Sequence, residues 1–164
     1  MKFLTDSMFG KLTRFLRIFG YDTVYANDLT NFFNIDPVPD DYLIEYADNN
    51  NRIIITKDLP LYQRYKDNSI FIKGEGIYNY LNQLNKQFGL NFEFNFKKAR
   101  CSICNSKLER VEDKALIKNE VPEETYNHFN EFYKCVNLQC KKVYWQGTHI
   151  EDIEYKLGKT LEFE

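Results

Sequence analysis

Apolar residues recur along this chain at two spacings, and the switches between them mark out its elements. Phe3, Leu4 and Thr5 form a short apolar strand that runs into Asp6. The spacing then becomes helical: Met8, Leu12, Phe15, Leu16 and Phe19 share one face, Lys11, Arg14 and Arg17 occupy another, and Gly20 ends the segment. Thr23 to Ala26 reads as a second strand. A helix is expected from Asp40 or Asp41 to about Asn49, where Leu43, Ile44 and Ala47 recur at helical spacing. Arg52-Ile-Ile-Ile-Thr56 is a β-branched run between turn signals, the mark of a buried strand. Leu59 to Lys66 predicts a short helix, Ser69 to Ile72 a strand and Ile77 to Phe88 an amphipathic helix. The stretch from Phe33 to Pro39, with two prolines, reads as a loop. Strands alternating with helices predict an α/β fold, a parallel sheet flanked by helices.

After residue 96 the alternation stops. All four cysteines lie in the remainder, as Cys101-Ser-Ile-Cys104 and Cys135-Val-Asn-Leu-Gln-Cys140. The chain is therefore expected to divide into an α/β domain over 1–96 and a small cysteine-bearing domain over 97–164. With 164 residues and a net charge of -2 it has room for a real core but no global field to attract polyanions. Any nucleic-acid contact must then come from local patches. No apolar run approaches the ~20 residues of a membrane span, and the chain does not open on a signal-peptide pattern. A cytoplasmic protein without a membrane partner is expected. Glycine-rich phosphate loops and nucleophile elbows find no match.

In parallel sheets, sites form outside the carboxyl ends of the strands. Asp6 and Asp58 each follow a strand, so both can reach one crevice, and Asp40 and Asp41 open a helix. Each has a plainer role as a helix cap or a partner of the helix dipole. One of Asp40 and Asp41 suffices for capping, which leaves the other free to project into the crevice. Carboxylates grouped in this way repel one another unless a cation joins them. Magnesium or manganese suits hard oxygen donors, and either polarises a phosphodiester and acidifies an attacking water. Glu45 and Asp67 are read as a solvated helix residue and a turn residue.

Four cysteines in two close pairs, with none elsewhere, fit a tetrahedral thiolate site for zinc. Four thiolates leave no open position, so the expected role is structural. Disulfides are disfavoured in a cytoplasmic chain. The gap from Asn105 to Lys134 must hold an insertion, and Val121 to Phe132, with Pro122 near a first turn, has the character of a helix start. His128 and His149 are weaker ligand candidates, with packing as the default for His149.

Together these segments resemble a known family. Asp6-x-Met-x-Gly-Lys-Leu-x-Arg-x-Leu-Arg17-x-x-Gly20 is similar to the opening of the PIN-like ribonuclease domains first noted at the carboxyl end of the Mut-seven proteins. Asp40-x-x-Leu-Ile-x-x-Ala47 and Arg52-Ile-Ile-Ile-Thr-Lys-Asp58 resemble that family's second and third acidic motifs. The cysteine pairs and Val143-Tyr-Trp-Gln-Gly-Thr-His149 resemble the zinc ribbon that follows. The resemblance implies a metal-dependent RNA-cleaving fold with Asp6, Asp40 and Asp58 as ligands of magnesium or manganese, and its spacing favours Asp40 over Asp41. Lys57 stands where the family usually has arginine, which keeps the charge but loses the planar fork.

RNA as the partner directs attention to the basic residues. Lys11, Arg14 and Arg17 are expected to bind phosphates near the cut, with Lys57 beside them; Arg17 has the alternative of pairing inside the fold. Lys97, Lys98 and Arg100 precede the first cysteine pair, and Tyr144, Trp145 and His149 follow the second. Bases for phosphates and aromatics for unpaired bases make a single-strand platform. In a strand, Tyr144 and Trp145 point to opposite faces, so one of them at most meets RNA. The resulting expectation is a metal-dependent ribonuclease assisted by a zinc ribbon. The alternatives are a non-catalytic RNA- or ribosome-binding adaptor and a toxin-like nuclease held by a protein partner. A homo-oligomer is compatible with the aromatic-rich helix from Ile77 to Phe88.

Overall fold

Alternation in the strands decides which residue meets which helical layer. In the computed structural model, β1 (Lys2–Thr5), β2 (Asp22–Tyr25), β3 (Ile53–Thr56) and β4 (Ser69–Phe71) form a wholly parallel sheet in the order β2-β1-β3-β4. The structure describes residues 1–162, apart from the side chains of 148, 149 and 159–162. Phe3 of β1 and Ile55 of β3 face α1 (Gly10–Ile18), while Leu4 and Ile54, one residue on and one back, face the opposite layer. That opposite layer consists of α3 (Asp40–Asn49) and α4 (Leu59–Arg64), which contribute Leu43, Ala47 and Leu61. Between β2 and α3 the chain makes a 3-10 turn over Ala26–Leu29 and a single helical turn, α2 (Thr30–Phe33). α5 (Ile77–Phe88) covers the α1 side through Leu81 and Leu84.

The second half is built around short antiparallel strands, β5 (Leu108–Arg110), β6 (Tyr133–Cys135) and β7 (Val143–Tyr144), in the order β5-β6-β7. Between β5 and β6 lie a 3-10 turn, Lys114–Ile117, and α6 (Glu123–His128), whose N-cap is Pro122. Ile117, Val121, Phe132 and Val143 form a separate small core there. The last helix, α7 (Thr148–Glu162), follows the cysteine-bearing segment in sequence but returns to the α/β core, where Ile153 and Leu157 join Leu81 and Leu84.

Two expectations shift. The first helical segment begins as a 3-10 turn, Ser7–Phe9, before α1. The tighter turn advances the phase, so Phe9 is buried and Met8 is 53% exposed. Met8 is therefore not part of the apolar face. β2 lies one residue earlier than the Thr23 to Ala26 pattern suggests. Its register is set by pairing with β1, Phe3 opposite Thr23.

β2 is an edge strand, and side chains close it. The Arg17 Nε donates to the Thr23 carbonyl at 2.8 Å, and the Thr23 amide donates to Asn105 Oδ1 at 3.1 Å. From the same guanidinium, Nη1 reaches the carbonyls of Ser102 (3.1 Å) and Ile103 (2.8 Å), and Nη2 pairs with Asp28 at 2.7 Å. Arg17 is 3% exposed. It is thus a bridge between sheet and cysteine segment, and the expectation that it binds phosphate is corrected: burial and these acceptors remove it from solvent. Asp22 accepts from Arg52 Nη1 (2.7 Å) and Asn105 Nδ2 (2.8 Å). Gly20 adopts φ +92°, and a β-carbon there would lie 2.8 Å from the Lys98 carbonyl oxygen, so only glycine admits this close approach. Among the described residues no helix is long and apolar enough to cross a membrane.

Replacing Arg17 by alanine would leave three carbonyls and Asp28 without their donor. We expect Arg17→Ala to lower unfolding free energy by about 3 kcal/mol or more, read from the denaturant midpoint. Burial works to raise the Asp22 pKa, but the hydrogen bonds from Arg52 and Asn105 and the nearby guanidinium charges outweigh it and hold the group below the ordinary range. A depressed folded pKa stabilises the protein above the unfolded value of about 3.9, and the contribution disappears as pH falls through the folded one. The stability gap between wild type and Asp22→Asn should therefore be full near neutrality and shrink as the pH falls below about 4.

Candidate functional site

Each strand of the sheet ends in a residue that has somewhere specific to go. β1 ends at Thr5 and hands the chain to Asp6, which caps the 3-10 turn by accepting the Ser7 amide at 2.6 Å. β3 ends at Thr56, fully buried, whose hydroxyl donates to Asp6 Oδ2 at 2.6 Å and accepts the Asp58 amide at 2.8 Å. One hydroxyl therefore ties two aspartates from different strands. Asp58 in turn caps α4, its Oδ1 accepting from the Leu61 amide at 2.8 Å. The plain capping roles exist, yet each carboxylate keeps acceptor capacity beyond its cap.

Asp6, Asp40 and Asp58 line a single cleft of ≈ 370 Å³, whose walls include Asn27, Pro37 and Pro39. Asp40 sits in the first turn of α3, with Pro39 as N-cap. Burial raises its pKa, and the negative charges of Asp58, Asp6 and Asp41 add to this against the opposing pull of Arg64. Asp41 is not in the cleft: it is exposed and paired with Arg64. The proposed catalytic role of Asp41 is thus not supported by its position, because successive residues of a helix point about 100° apart. Glu45 and Asp67 are exposed and also outside the cleft. Among the described residues, the only set of three or more metal-ligating groups drawn within 4.8 Å of one another is the cysteine cluster, so the aspartates share a cleft without closing to that distance.

The four sulfurs do close up. Cys101 and Cys140 approach to 3.6 Å, Cys104 and Cys135 to 3.4 Å, and all four are free thiols. Zinc–sulfur bonds of ~2.3 Å in a tetrahedron place sulfurs about 3.8 Å apart, so the donor set and its spacing are compatible with zinc. The turns that carry the sulfurs are alike: Asn105 and Lys141, each immediately after the second cysteine of its pair, both adopt positive φ, 66° and 52°. Burial raises the Cys104 thiol, but hydrogen bonding from Ser106, Cys135 and Cys101 overcomes it and brings the pKa down to about 6. Burial pushes Cys135 and Cys140 up, and the neighbouring sulfurs push the same way. Crowded thiols of this kind cannot all ionise unless a cation compensates them. The Tyr144 hydroxyl lies 3.1 Å from Cys101 Sγ and receives the Ser102 amide at 3.0 Å.

The basic residues separate into groups. Lys11 and Arg14 are exposed on α1, without an ion pair among the described residues. Lys57 turns to Glu75 (2.6 Å) and the Tyr80 hydroxyl (2.7 Å), contacts that raise its pKa, and it does not line the cleft. Lys97 and Lys98 are exposed, whereas Arg100 is half-buried and donates to the Asn105 carbonyl at 2.9 Å. Trp145 is half-buried against Phe129 and Phe132, so most of it is occupied in packing. Tyr144 faces the sulfurs, which removes it as a base-stacking surface. His149 is the second residue of α7, and its side chain lies outside the described residues. His128 is exposed and apart from the sulfurs. Thr56 and Asn105 are the residues that sequence reasoning passed over; the only local signal for Thr56 was its place in the Thr-x-Asp motif.

The family model described as the Mut7-C RNAse domain matches residues 1–157. No curated protein and no solved structure gives a significant match.

Outer hydrogen bonds to metal ligands commonly change metal affinity by ~10–100-fold. Tyr144→Phe, which removes only the hydroxyl beside Cys101, should therefore release zinc to a chelator about tenfold faster or more, measured with a colorimetric zinc indicator.

Proposed function

The chain belongs to the Mut7-C RNAse domain family, and on that footing we propose that it is a metal-dependent ribonuclease, hydrolysing RNA phosphodiester bonds at the cleft of Asp6, Asp40 and Asp58. The observation that carries the proposal is the meeting of these three carboxylates at the carboxyl ends of the parallel strands, with Asp40 shifted upward by burial first and by its acidic neighbours second. Three carboxylates against one guanidinium, Arg64 at 3.8 Å from Asp40, leave the net negative charge that suits a cation. Magnesium or manganese held there would supply Lewis acidity toward the phosphodiester and the attacking water.

The chain's own residues prepare that chemistry. Thr56 fixes Asp6 and the backbone of Asp58 relative to each other, so neither carboxylate has to be ordered when substrate arrives. Burial and the neighbouring carboxylates both oppose the ionised form of Asp40, and a cation in the cleft would offset them. Lys11 and Arg14, exposed on α1 just beyond the cleft, attract the phosphates that flank the scissile bond. A structural zinc on Cys101, Cys104, Cys135 and Cys140 holds the ribbon that carries Lys97 and Lys98. The wider separation of the aspartates favours a second reading, an RNA-binding adaptor that has the fold without a competent site.

The test is cleavage of a mixed-structure RNA panel with manganese or magnesium. Asp6→Asn/Asp58→Asn, shown to be folded and to retain its zinc, is expected to lose cutting by ~100-fold or more while keeping RNA affinity. Equal cutting by both proteins would displace the site from these residues. If neither protein cuts but both bind RNA, the adaptor reading replaces the nuclease.

A further inference from the structure

A second cavity, larger than the carboxylate cleft, lies at the other end of α1. It is a groove of ≈ 490 Å³ at the amino end of the sheet, between the end of α1 and the start of the ribbon. Tyr21 and Phe94 contribute to its floor, and Lys97, Lys98 and Lys107 stand along it. Its one acid, Glu93, accepts from the Asn91 amide nitrogen at 3.1 Å. All three lysines are exposed, and none has an ion pair among the described residues. In a chain of net charge -2, such a local excess of positive charge is a feature of the groove and not of the protein as a whole.

The lysines are held in place. Asn95 builds the turn that carries Lys97 and Lys98, accepting the Lys97 amide on Oδ1 at 2.8 Å and the Lys98 and Ala99 amides on its carbonyl at 2.9 and 2.8 Å. The Arg100 amide then bonds the Arg17 carbonyl at 2.8 Å, and Gly20 lets the Lys98 backbone lie directly on the chain that leaves α1. α1 thus has the acidic cleft at its start and the basic groove at its end. Nine residues at about 1.5 Å rise separate the two by roughly 14 Å, with Lys11 and Arg14 exposed between them.

We propose that this groove is an anchor for an unpaired RNA strand, which runs along α1 so that a segment several nucleotides from the cut is gripped at Lys97, Lys98 and Lys107. The inference rests on the nuclease reading for the location of the cut. Aromatic floor and basic rim together suit bases and phosphates of a single strand. A substrate lacking an unpaired extension on the groove side fills the cleft alone and loses these contacts.

The experiment measures binding without cutting, by fluorescence anisotropy of a labelled single-stranded RNA of about twelve nucleotides, in the Asp6→Asn/Asp58→Asn protein. Adding Lys97→Ala/Lys98→Ala should weaken binding about tenfold and reduce the salt slope by about one to one and a half. Lys66→Ala/Lys118→Ala, the same charge change at exposed positions away from the groove, should stay within about twofold. A mutation-free arm follows acetylation of Lys97 and Lys98, which bound RNA should suppress. Equal affinity of the groove and control variants, or acetylation unchanged by RNA, would overturn the anchor. The outcome is independent of cleavage: a wild type that cuts nothing while the groove variant binds poorly supports the anchor and sinks the nuclease reading alone.

Discussion

The outer edge of β2 presents an unpaired amide and carbonyl at Thr23, and the protein closes it with side chains instead of a further strand. Arg17 supplies one donor and Asn105 one acceptor, and both also belong to the contact between sheet and ribbon. Buried peptide groups left unpaired are costly, and an open strand edge invites pairing with other chains. A single guanidinium therefore satisfies the edge carbonyl, the carbonyls of the first cysteine turn and Asp28 together. The position of the ribbon, the course of the 95–100 segment and the shape of the basic groove all follow from this contact, because Arg100 continues it through the Arg17 carbonyl.

At the other end of the sheet the organising group is neutral. The Thr56 hydroxyl both donates and accepts, so it can connect a carboxylate from β1 to the backbone that follows β3 without adding charge. A lysine or arginine in its place would neutralise the acids from within. The aspartates instead keep their like charges, which add to burial in shifting Asp40 upward. The two ends of α1 thus differ in electrical character: three carboxylates against Arg64, 3.8 Å from Asp40, at one, and three lysines against the single acid Glu93 at the other.

Much of this was legible in the chain. The Ile53–Thr56 run and the α5 pattern announce themselves because periodicity and β-branching agree over their whole length. The cysteine pairing was equally plain. What local pattern missed has a common cause. Arg17 sits at a helical position that reads as a solvated base, and its burial depends on carbonyls 85 and 86 residues away. Asp41 and Asp40 are indistinguishable as letters and both reach Arg64, and only the direction of α3 sends Asp40 to the cleft and leaves Asp41 outside it. The α2 turn is four residues long with only Phe33 packed against the core, too short to show a helical period. Phe9 took the inward position from Met8 because a 3-10 turn has a shorter period than the helix that follows.

The return of α7 to the sheet has a consequence for how the molecule is made. Ile153 and Leu157 occupy the same core as Phe3 and Leu16, with the entire ribbon between them in sequence. Synthesis proceeds from the amino end, so the strands and α1 leave the ribosome with part of their apolar layer still missing. That layer is completed only after the cysteine segment has emerged and the chain has doubled back. The ribbon is consequently a loop with both stems rooted in one core, not a pendant on a single tether, and its swing is restrained at two points. Completion of the α/β core is then inseparable in time from synthesis of the cysteine-bearing segment.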